Sequence, residues 1–178
     1  MKYFDEIKKS MDWLNTKSDT LFLGQAVEYD GTAMTRTLRD VDASKKLEMP
    51  VNEEMQTGIT LGMALNGTVP ISIYPRWNFL LLGANQLVNH IDKIKVMSSG
   101  GYTPKIIIRT SIGSQRPLHP QHQHIADLTG GFRAMCDTID IIRLDEPYQI
   151  FDSFKYAYER TDNRPTILVE WGDYYGEK

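Results

Sequence analysis

The 178-residue chain is 41% hydrophobic and 24% charged, which suits one globular domain with a sizeable core. Its net charge of -3 gives no electrostatic footing for nucleic acid, and no apolar run reaches the length of a membrane span. The single cysteine, Cys136, excludes an internal disulfide framework, and Met1 to Asn15 lacks the apolar core of a secretory leader, so a cytoplasmic protein with no nucleic-acid or membrane partner is expected.

Phe4, Ile7, Met11 and Leu14 recur at helical spacing and predict an amphipathic helix over Tyr3 to Asn15. Thr20 to Gln25 is a short apolar run after a polar break, hence a buried strand. Ala26 to Lys46 is polar and irregular, with a turn at Tyr29-Asp30-Gly31; connections of this length are often functional. Leu47 to Val51 reads as a further short strand. Asn52 is then a good N-cap for a helix in which Glu53 and Glu54 occupy the first turn, where the helix dipole favours carboxylates. Gly58 and Gly62 lie one turn apart, which suggests close packing of another backbone, and Gly67 suits the C-cap.

Thr68 to Tyr74 is β-rich, with Pro70 tolerated near its start. Asn78 to Met97 reads as one helix whose first half, Phe79 to Ala84, is apolar nearly all round, so it should be buried by its own sheet and by something else. Pro104 to Arg109 predicts a strand, Thr110 to His124 a loop, and Ile125 to Leu128 a short helix stopped by Gly130-Gly131. Ile139 to Leu144 is a strand. Glu146-Pro147 opens a helix through Glu159, with proline at the first helical position, and Thr166 to Trp171 is the last strand. Continuous apolar strands alternating with helices predict an α/β fold with a mostly parallel sheet covered on both faces. In such sheets ligands bind beyond the carboxyl ends of the strands.

Three groups of residues carry candidate chemistry. Glu53 reads locally as a first-turn glutamate serving the helix dipole. His119, His122 and His124 lie within one loop with Arg116; they fit metal ligands, a catalytic acid/base or a polar surface. Tyr74, Trp77 and Phe79 fit either core packing or a stacking wall for a flat heteroaromatic ligand. Cys136 reads as a packed thiol. No GxGxxG or P-loop motif is present.

Together the segments resemble a known family. Met49-Pro-Val-Asn-Glu-Glu-Met-Gln-Thr-Gly-Ile-Thr-Leu-Gly62 resembles the Pro-Ile-Ser-Glu and Gly-x-x-x-Gly segment of thiamine-diphosphate enzymes, above all the β subunits of 2-oxo-acid dehydrogenase E1 components, whose pyrimidine-binding domain is related to that of transketolase. Gln25 to Thr35 resembles the family's Glu-Glu-Val-x-x-Tyr-Asp-Gly loop. Trp77-Asn78-Phe79 with Gln86-Leu-Val-Asn89 resembles Phe-Asn-Phe and Gln-x-x-Asn. Met97-Ser-Ser-Gly-Gly101, Pro120-Gln-His122 and Asp162-Asn-Arg-Pro165 match further blocks in the same order. The chain departs from the pattern at Trp77 (usually Phe), at Arg76 (usually neutral), at the extra His119 and His124, and in a shorter stretch between Arg39 and Lys46.

The resemblance implies a single pyrimidine-binding domain over residues 1–178, built on a six-stranded parallel sheet. It implies that Glu53 hydrogen-bonds N1′ of the thiamine-diphosphate aminopyrimidine, that Phe79 packs against that ring with Val51 and Trp77 lining the pocket, and that His122 acts as an acid/base or orienting group. His119, His124 and Arg116 approach the substrate; no metal ligand is assigned on this chain. The family's Gly-Asp-Gly pattern for diphosphate and Mg²⁺ is absent, Gly172-Asp173-Tyr174 not matching it. A diphosphate-binding, E1 α-like subunit is therefore expected as partner, in a heterotetramer or homo-oligomer formed through the Phe79–Met97 helix. Three readings follow: a subunit acting on a 2-oxo acid by decarboxylation with or without acyl transfer, a transketolase-like ketol-transferring subunit, and a non-catalytic partner that retains the fold.

Overall fold

The structure is a computed structural model that describes residues 1–116 and 119–177. Strands β1 (Thr20–Gly24), β2 (Lys46–Glu48), β3 (Val69–Ile73), β4 (Ile107–Ile112), β5 (Asp140–Arg143) and β6 (Thr166–Trp171) form one sheet in the order β2-β1-β3-β4-β6-β5, and every pair is parallel. The six-stranded parallel architecture is the one the sequence and its resemblance lead to. Because all strands run the same way, the segments that leave their carboxyl ends share one edge.

Side chains alternate across the sheet and so build two cores. On one face Phe22, Ile71, Ile107 and Leu168 meet α1 (Tyr3–Asn15) and α7 (Pro147–Glu159), through Tyr3, Ile7, Met11, Leu14, Ile150 and Phe154. On the other, Ile108, Ile141, Ile167 and Val169 meet Trp77, Leu80, Leu87, Ile91 and Phe132. Helix α1 sits where its periodicity puts it, and α7 where Pro147 opens it at the first helical position. The long loop after β1 contains only α2 (Ala33–Arg36), capped by Thr32, and a turn at Ala43–Lys45.

Several expected elements are corrected. The strand expected over Pro104 to Arg109 lies at Ile107–Ile112 instead. Its second half is polar but buried, because Arg109 is ion-paired and the Ser111 hydroxyl donates to the Pro75 carbonyl at 2.7 Å. The single helix expected over Asn78 to Met97 is a right-handed rod with changing winding. It comprises α4 (Trp77–Leu80), a tight turn at Leu81–Gly83, a wide turn at Gln86–Ile91 and α5 (Ile94–Met97). The Asp92 N–H reaches back five residues to the Leu87 carbonyl. The helix expected over Ile125 to Leu128 is instead α6 (Thr129–Met135), which contains Gly130 and Gly131 rather than ending at them. Their low propensity is offset where Phe132 stacks on Trp77, centroids 4.9 Å apart. The loop expected over Thr110 to His124 includes 117 and 118, which lie outside the described residues.

At the centre of the sheet Arg109 and Glu170 are fully buried and face each other from β4 and β6. Arg109 Nε and Nη2 donate to the two Glu170 oxygens at 2.6 and 3.0 Å, and Nη1 reaches Thr37 Oγ1 at 3.2 Å. The Tyr175 hydroxyl, on α8 (Tyr174–Glu177), donates to the same carboxylate. Beside it the Tyr3 hydroxyl donates to the Leu144 carbonyl at 2.9 Å and accepts from the Trp171 N–H at 3.0 Å. Burial and the Glu170 charge raise the Tyr3 and Tyr175 hydroxyls well above their ordinary values, so both stay protonated donors. Removing one partner of such a pair leaves an uncompensated buried charge, at a cost of about 3–5 kcal/mol. Arg109→Met should lose that much stability in urea denaturation, whereas Arg109→Met with Glu170→Leu should recover most of it. Equal loss in the single and double variants would contradict the pairing argument.

Candidate functional site

The carboxyl edge is organised from β1 outward. The Glu48 carboxylate at the end of β2 accepts from the backbone N–H groups of Ala26, Val27 and Glu28 at 2.6, 2.8 and 2.9 Å. Ala26 takes a left-handed φ of 55°, and its carbonyl accepts from Thr35 Oγ1. This folded corner fixes Gln25, whose Nε2 donates to Glu53 Oε1 at 3.1 Å.

Glu53 is the first residue of α3 (Glu53–Leu65) and is 4% exposed. Asn52 caps the helix, its side chain accepting from the Met55 N–H at 2.9 Å. The inward side of α3 is polar: Glu53, Gln56, Thr57 and Thr60 are buried. Gln56 Nε2 donates to Ser72 Oγ and to the Ile73 carbonyl at 3.1 and 3.0 Å, and Thr60 Oγ1 donates to Ser72 Oγ at 2.9 Å. Thr57 Oγ1 lies 2.7 Å from both the Glu53 carbonyl and the Tyr74 hydroxyl. Burial pushes that hydroxyl up to about 12, so Tyr74 remains a protonated strut. Met55, Ile59 and Leu65 point outward and are exposed. Gly58 and Gly62 share this outward side, and nothing among the described residues lies within 4 Å of a Cβ built on either. The backbone contact expected for them is therefore not made among the described residues.

The turn that follows β3 is pressed against α3 at Gly83, where an added Cβ would stand 2.4 Å from Thr57 Oγ1 and 3.2 Å from the Glu53 carbonyl. One helical turn earlier, half-buried Phe79 meets His124, ring centroids 5.6 Å apart. Asn78 Nδ2 contacts His124 Nδ1 at 2.7 Å, and Arg76 Nη1 donates to the His124 carbonyl at 3.1 Å. Burial pulls the Arg76 guanidinium below its ordinary value while the Asp173 charge pulls it back up. The base of the histidine loop is tied by Asp173, whose Oδ1 accepts from the N–H groups of Gln115 and Arg116 at 2.8 and 3.2 Å.

The other expected residues are placed differently. His119 and His122 are exposed with ring centroids 6.0 Å apart, and the Gln121 N–H donates to His119 Nδ1. Trp77 is fully buried against Phe132, a core position rather than a pocket wall in this chain. Val51 is 81% exposed, so only a further surface would enclose it. Arg116 is exposed near the start of the loop. Among the described residues no group of three or more metal-ligating side chains comes together. Burial, with the Asp92 charge, pushes the Cys136 thiol up to about 11, an unreactive setting. Sequence reasoning missed Gln25 as the neighbour of Glu53, Glu48 as the anchor of its corner, and Asn78 as the contact of His124. Gln25 and Asn78 lie in blocks that match the family pattern, which marks the segments but not these contacts, and Glu48 is marked by its position at the carboxyl end of a strand.

Fold and site define a parallel α/β domain that offers a buried carboxylate and a half-buried aromatic ring along one edge. The family described as "Transketolase, pyrimidine binding domain" matches residues 8–174, and the chain belongs to it. The chain is 28% identical over 172 residues to the pyruvate dehydrogenase E1 component subunit beta of Gracilaria tenuistipitata var. liui, covering 94% of this chain and 51% of that protein. The chain thus spans about half the length of the curated relatives it matches. Its fold is shared with two solved structures. A split gene transketolase, described as an inactive beta4 tetramer, matches with TM-score 0.69 and 12% identity over 94% of this chain and 50% of that one. Transketolase from Campylobacter jejuni subsp. jejuni NCTC 11168 matches with TM-score 0.70 and 14% identity over 94% of this chain and 25% of that one. No helix among the described residues is long and apolar enough to cross a membrane.

Two outcomes follow from the packing. Gly83→Ala should destabilise the chain by about 1–3 kcal/mol through overpacking. Adding Thr57→Ala should give a double variant less destabilised in urea than the sum of the two single variants. Cys136, protonated until pH approaches its raised value of about 11, should resist iodoacetamide at pH 8 in the native protein and react only in urea; rapid native labelling would contradict the buried-thiol assignment.

Proposed function

We propose that this chain is the pyrimidine-binding half of a thiamine-diphosphate enzyme acting on a 2-oxo acid, by decarboxylation with or without acyl transfer. The observation that carries the reading is Glu53: buried at the first residue of α3, on the carboxyl edge, with Oε1 engaged by Gln25 Nε2. Among the described residues no side chain donates to Oε2, which leaves an acceptor for a ring nitrogen that carries or shares a proton. Phe79, half-buried one turn from Gly83, offers the apolar face that a pyrimidine needs. These residues fit the group. The chemistry that the cofactor supplies when bound is a nucleophilic carbon for the substrate's carbonyl. Glu53 holds and returns the proton at pyrimidine N1′, Phe79 fixes the ring plane, and the histidine loop, with His122 the residue the family pattern selects, excludes water and donates to the substrate.

A diphosphate-binding, E1 α-like partner completes the site and carries the Mg²⁺ ligands. The outward side of α3 supports this: Met55, Ile59 and Leu65 flank the open Gly58 and Gly62, and the adjoining turn exposes Leu81 and Leu82 at 48% and 64%. Obligate interfaces are apolar in this way. The ketol-transferring alternative has one observation of its own, the polar groups of Arg76, Asn78 and His124 gathered at one place on the edge, which suit a polyol or a phosphate.

Glu53 and Glu54 separate catalysis from helix support. Both lie in the first turn, but Glu54 is exposed and accepts from Gln86 Nε2 at 3.2 Å. In the complex with the diphosphate-binding partner, Glu53→Gln should slow cofactor C2–H/D exchange, followed by NMR, by about 10²-fold or more with the circular dichroism spectrum unchanged. Glu54→Gln should change it only by a small factor. Normal exchange in Glu53→Gln would leave the non-catalytic partner as the better reading.

A further inference from the structure

We propose that Asn78 is a positioning residue that fixes His124 as its Nε2–H tautomer, so that this histidine meets the substrate as a hydrogen-bond donor and not as a base. The donor role toward substrate rests on the 2-oxo-acid reading above; the tautomer does not.

The argument begins with the grip on His124. Arg76 Nη1 donates to its carbonyl at 3.1 Å, and a Cβ on Gly113 would stand 1.9 Å from the same oxygen. The end of β4 thus lies in direct contact with the His124 backbone, and only glycine at 113 permits it. The ring rests on Phe79. His119 and His122, by contrast, are exposed and meet chiefly each other. One imidazole of the three is therefore held at backbone and ring alike.

The ring's chemistry follows from its neighbour. Asn78 Nδ2 stands 2.7 Å from His124 Nδ1. An amide NH₂ group only donates, so Nδ1 must accept, and the single proton of a neutral imidazole resides on Nε2. Among the described residues nothing accepts from that Nε2–H. It is left for an acceptor oxygen arriving at the edge beside Phe79: the carbonyl or carboxylate of a 2-oxo acid. A neutral N–H held there stabilises the negative charge that builds on a carbonyl oxygen when its carbon is attacked. Asn78 is well suited to this because it is two residues from Arg76 and adjacent to Phe79, so one short segment sets backbone, ring plane and tautomer together.

The test uses the full chain labelled with ¹⁵N-histidine, with long-range ¹H–¹⁵N correlation at a pH about two units above the ordinary imidazole value. The His124 signals are those lost in His124→Gln. The expected wild-type pattern is Nε2–H. Asn78→Asp, whose carboxylate only accepts, should invert the pattern to Nδ1–H, and Asn78→Leu should give a mixture of the two. An Nδ1–H or mixed pattern in the wild type, or a pattern unmoved by Asn78→Asp with an otherwise native amide spectrum, would overturn the proposal. Should Asn78→Asp fail to fold, the wild-type pattern and Asn78→Leu still decide it.

In the complex with the diphosphate-binding partner, Asn78→Asp should lower kcat on pyruvate by about 10- to 100-fold while KM moves little, as expected for an interaction made in the transition state. An inverted tautomer with unchanged kcat would overturn the donor role. A complex loaded with thiamine diphosphate and Mg²⁺ that turns over no 2-oxo acid would count against the functional reading and leave the tautomer result standing.

Discussion

The buried ion pair between Arg109 and Glu170 is the constraint on which the rest of the edge depends. Two charges out of water are tolerable only when every donor and acceptor is met, and here the guanidinium spans the adjacent strands β4 and β6 in bidentate contact. The arrangement reaches Thr37 in the long loop after β1 through the guanidinium and Tyr175 in the last helix through the carboxylate, so distant parts of the chain converge on one ion pair. Beyond this pair β4 leads to the histidine loop and β6 leads to Asp173, which holds that loop's base. The backbone ladder from Ile107–Thr166 to Ile112–Trp171 sets the relative height of the two strands, and the pair ties them together by side chains as well.

Much of this architecture could be read from the chain. Alternating apolar strands and helices led to the parallel sheet, and of the two long outer helices the first was marked by its helical spacing and the second by proline at its start. The misreadings share a cause: local pattern cannot see a distant partner. Thr110 and Ser111 look like the start of a loop, yet they continue a buried strand beyond Arg109, whose guanidinium pairs with Glu170, and the Ser111 hydroxyl meets the Pro75 carbonyl. Gly130 and Gly131 look like a stop, yet a helix passes through them because Phe132 finds Trp77. Trp77 looks like a ligand wall and is core for the same reason. The family pattern selects Glu53 and Phe79, and the structure has the first buried and the second half-buried along the carboxyl edge. The contacts made by Gln25, Glu48 and Asn78 could not be read, since they join residues between 20 and 46 positions apart.

The winding of the rod between β3 and β4 shows how the site acquires its spacing. An even α-helix over Asn78 to Met97 would carry its side chains round at a constant 100° or so per residue. The tight turn at Leu81–Gly83 and the wide turn at Gln86–Ile91 alter that progression on either side of the contact with α3. The first places Gly83 against the Glu53 turn while Phe79 still reaches His124. Leu87 and Ile91, four residues apart across the wide turn, both reach the core beneath.

Helix α3 turns its hydrogen-bonding side toward the sheet, and this governs how the domain tolerates change. A helix seated on an apolar face can roll or slide a little at small cost, because one methyl group substitutes for another. Gln56, Thr57 and Thr60 allow no such play: each meets a named oxygen on Ser72, Ile73 or Tyr74, and a roll of a few tens of degrees would break all of them at once. The direction in which Glu53 points is therefore set by residues that never approach the edge it serves. On the proposed reading, substitutions at Gln56 or Thr60 would register as loss of activity before loss of fold, although neither lies where a ligand can reach. In a mutational survey the sensitive stretch would then extend about two turns down α3, into what looks by burial alone like ordinary core.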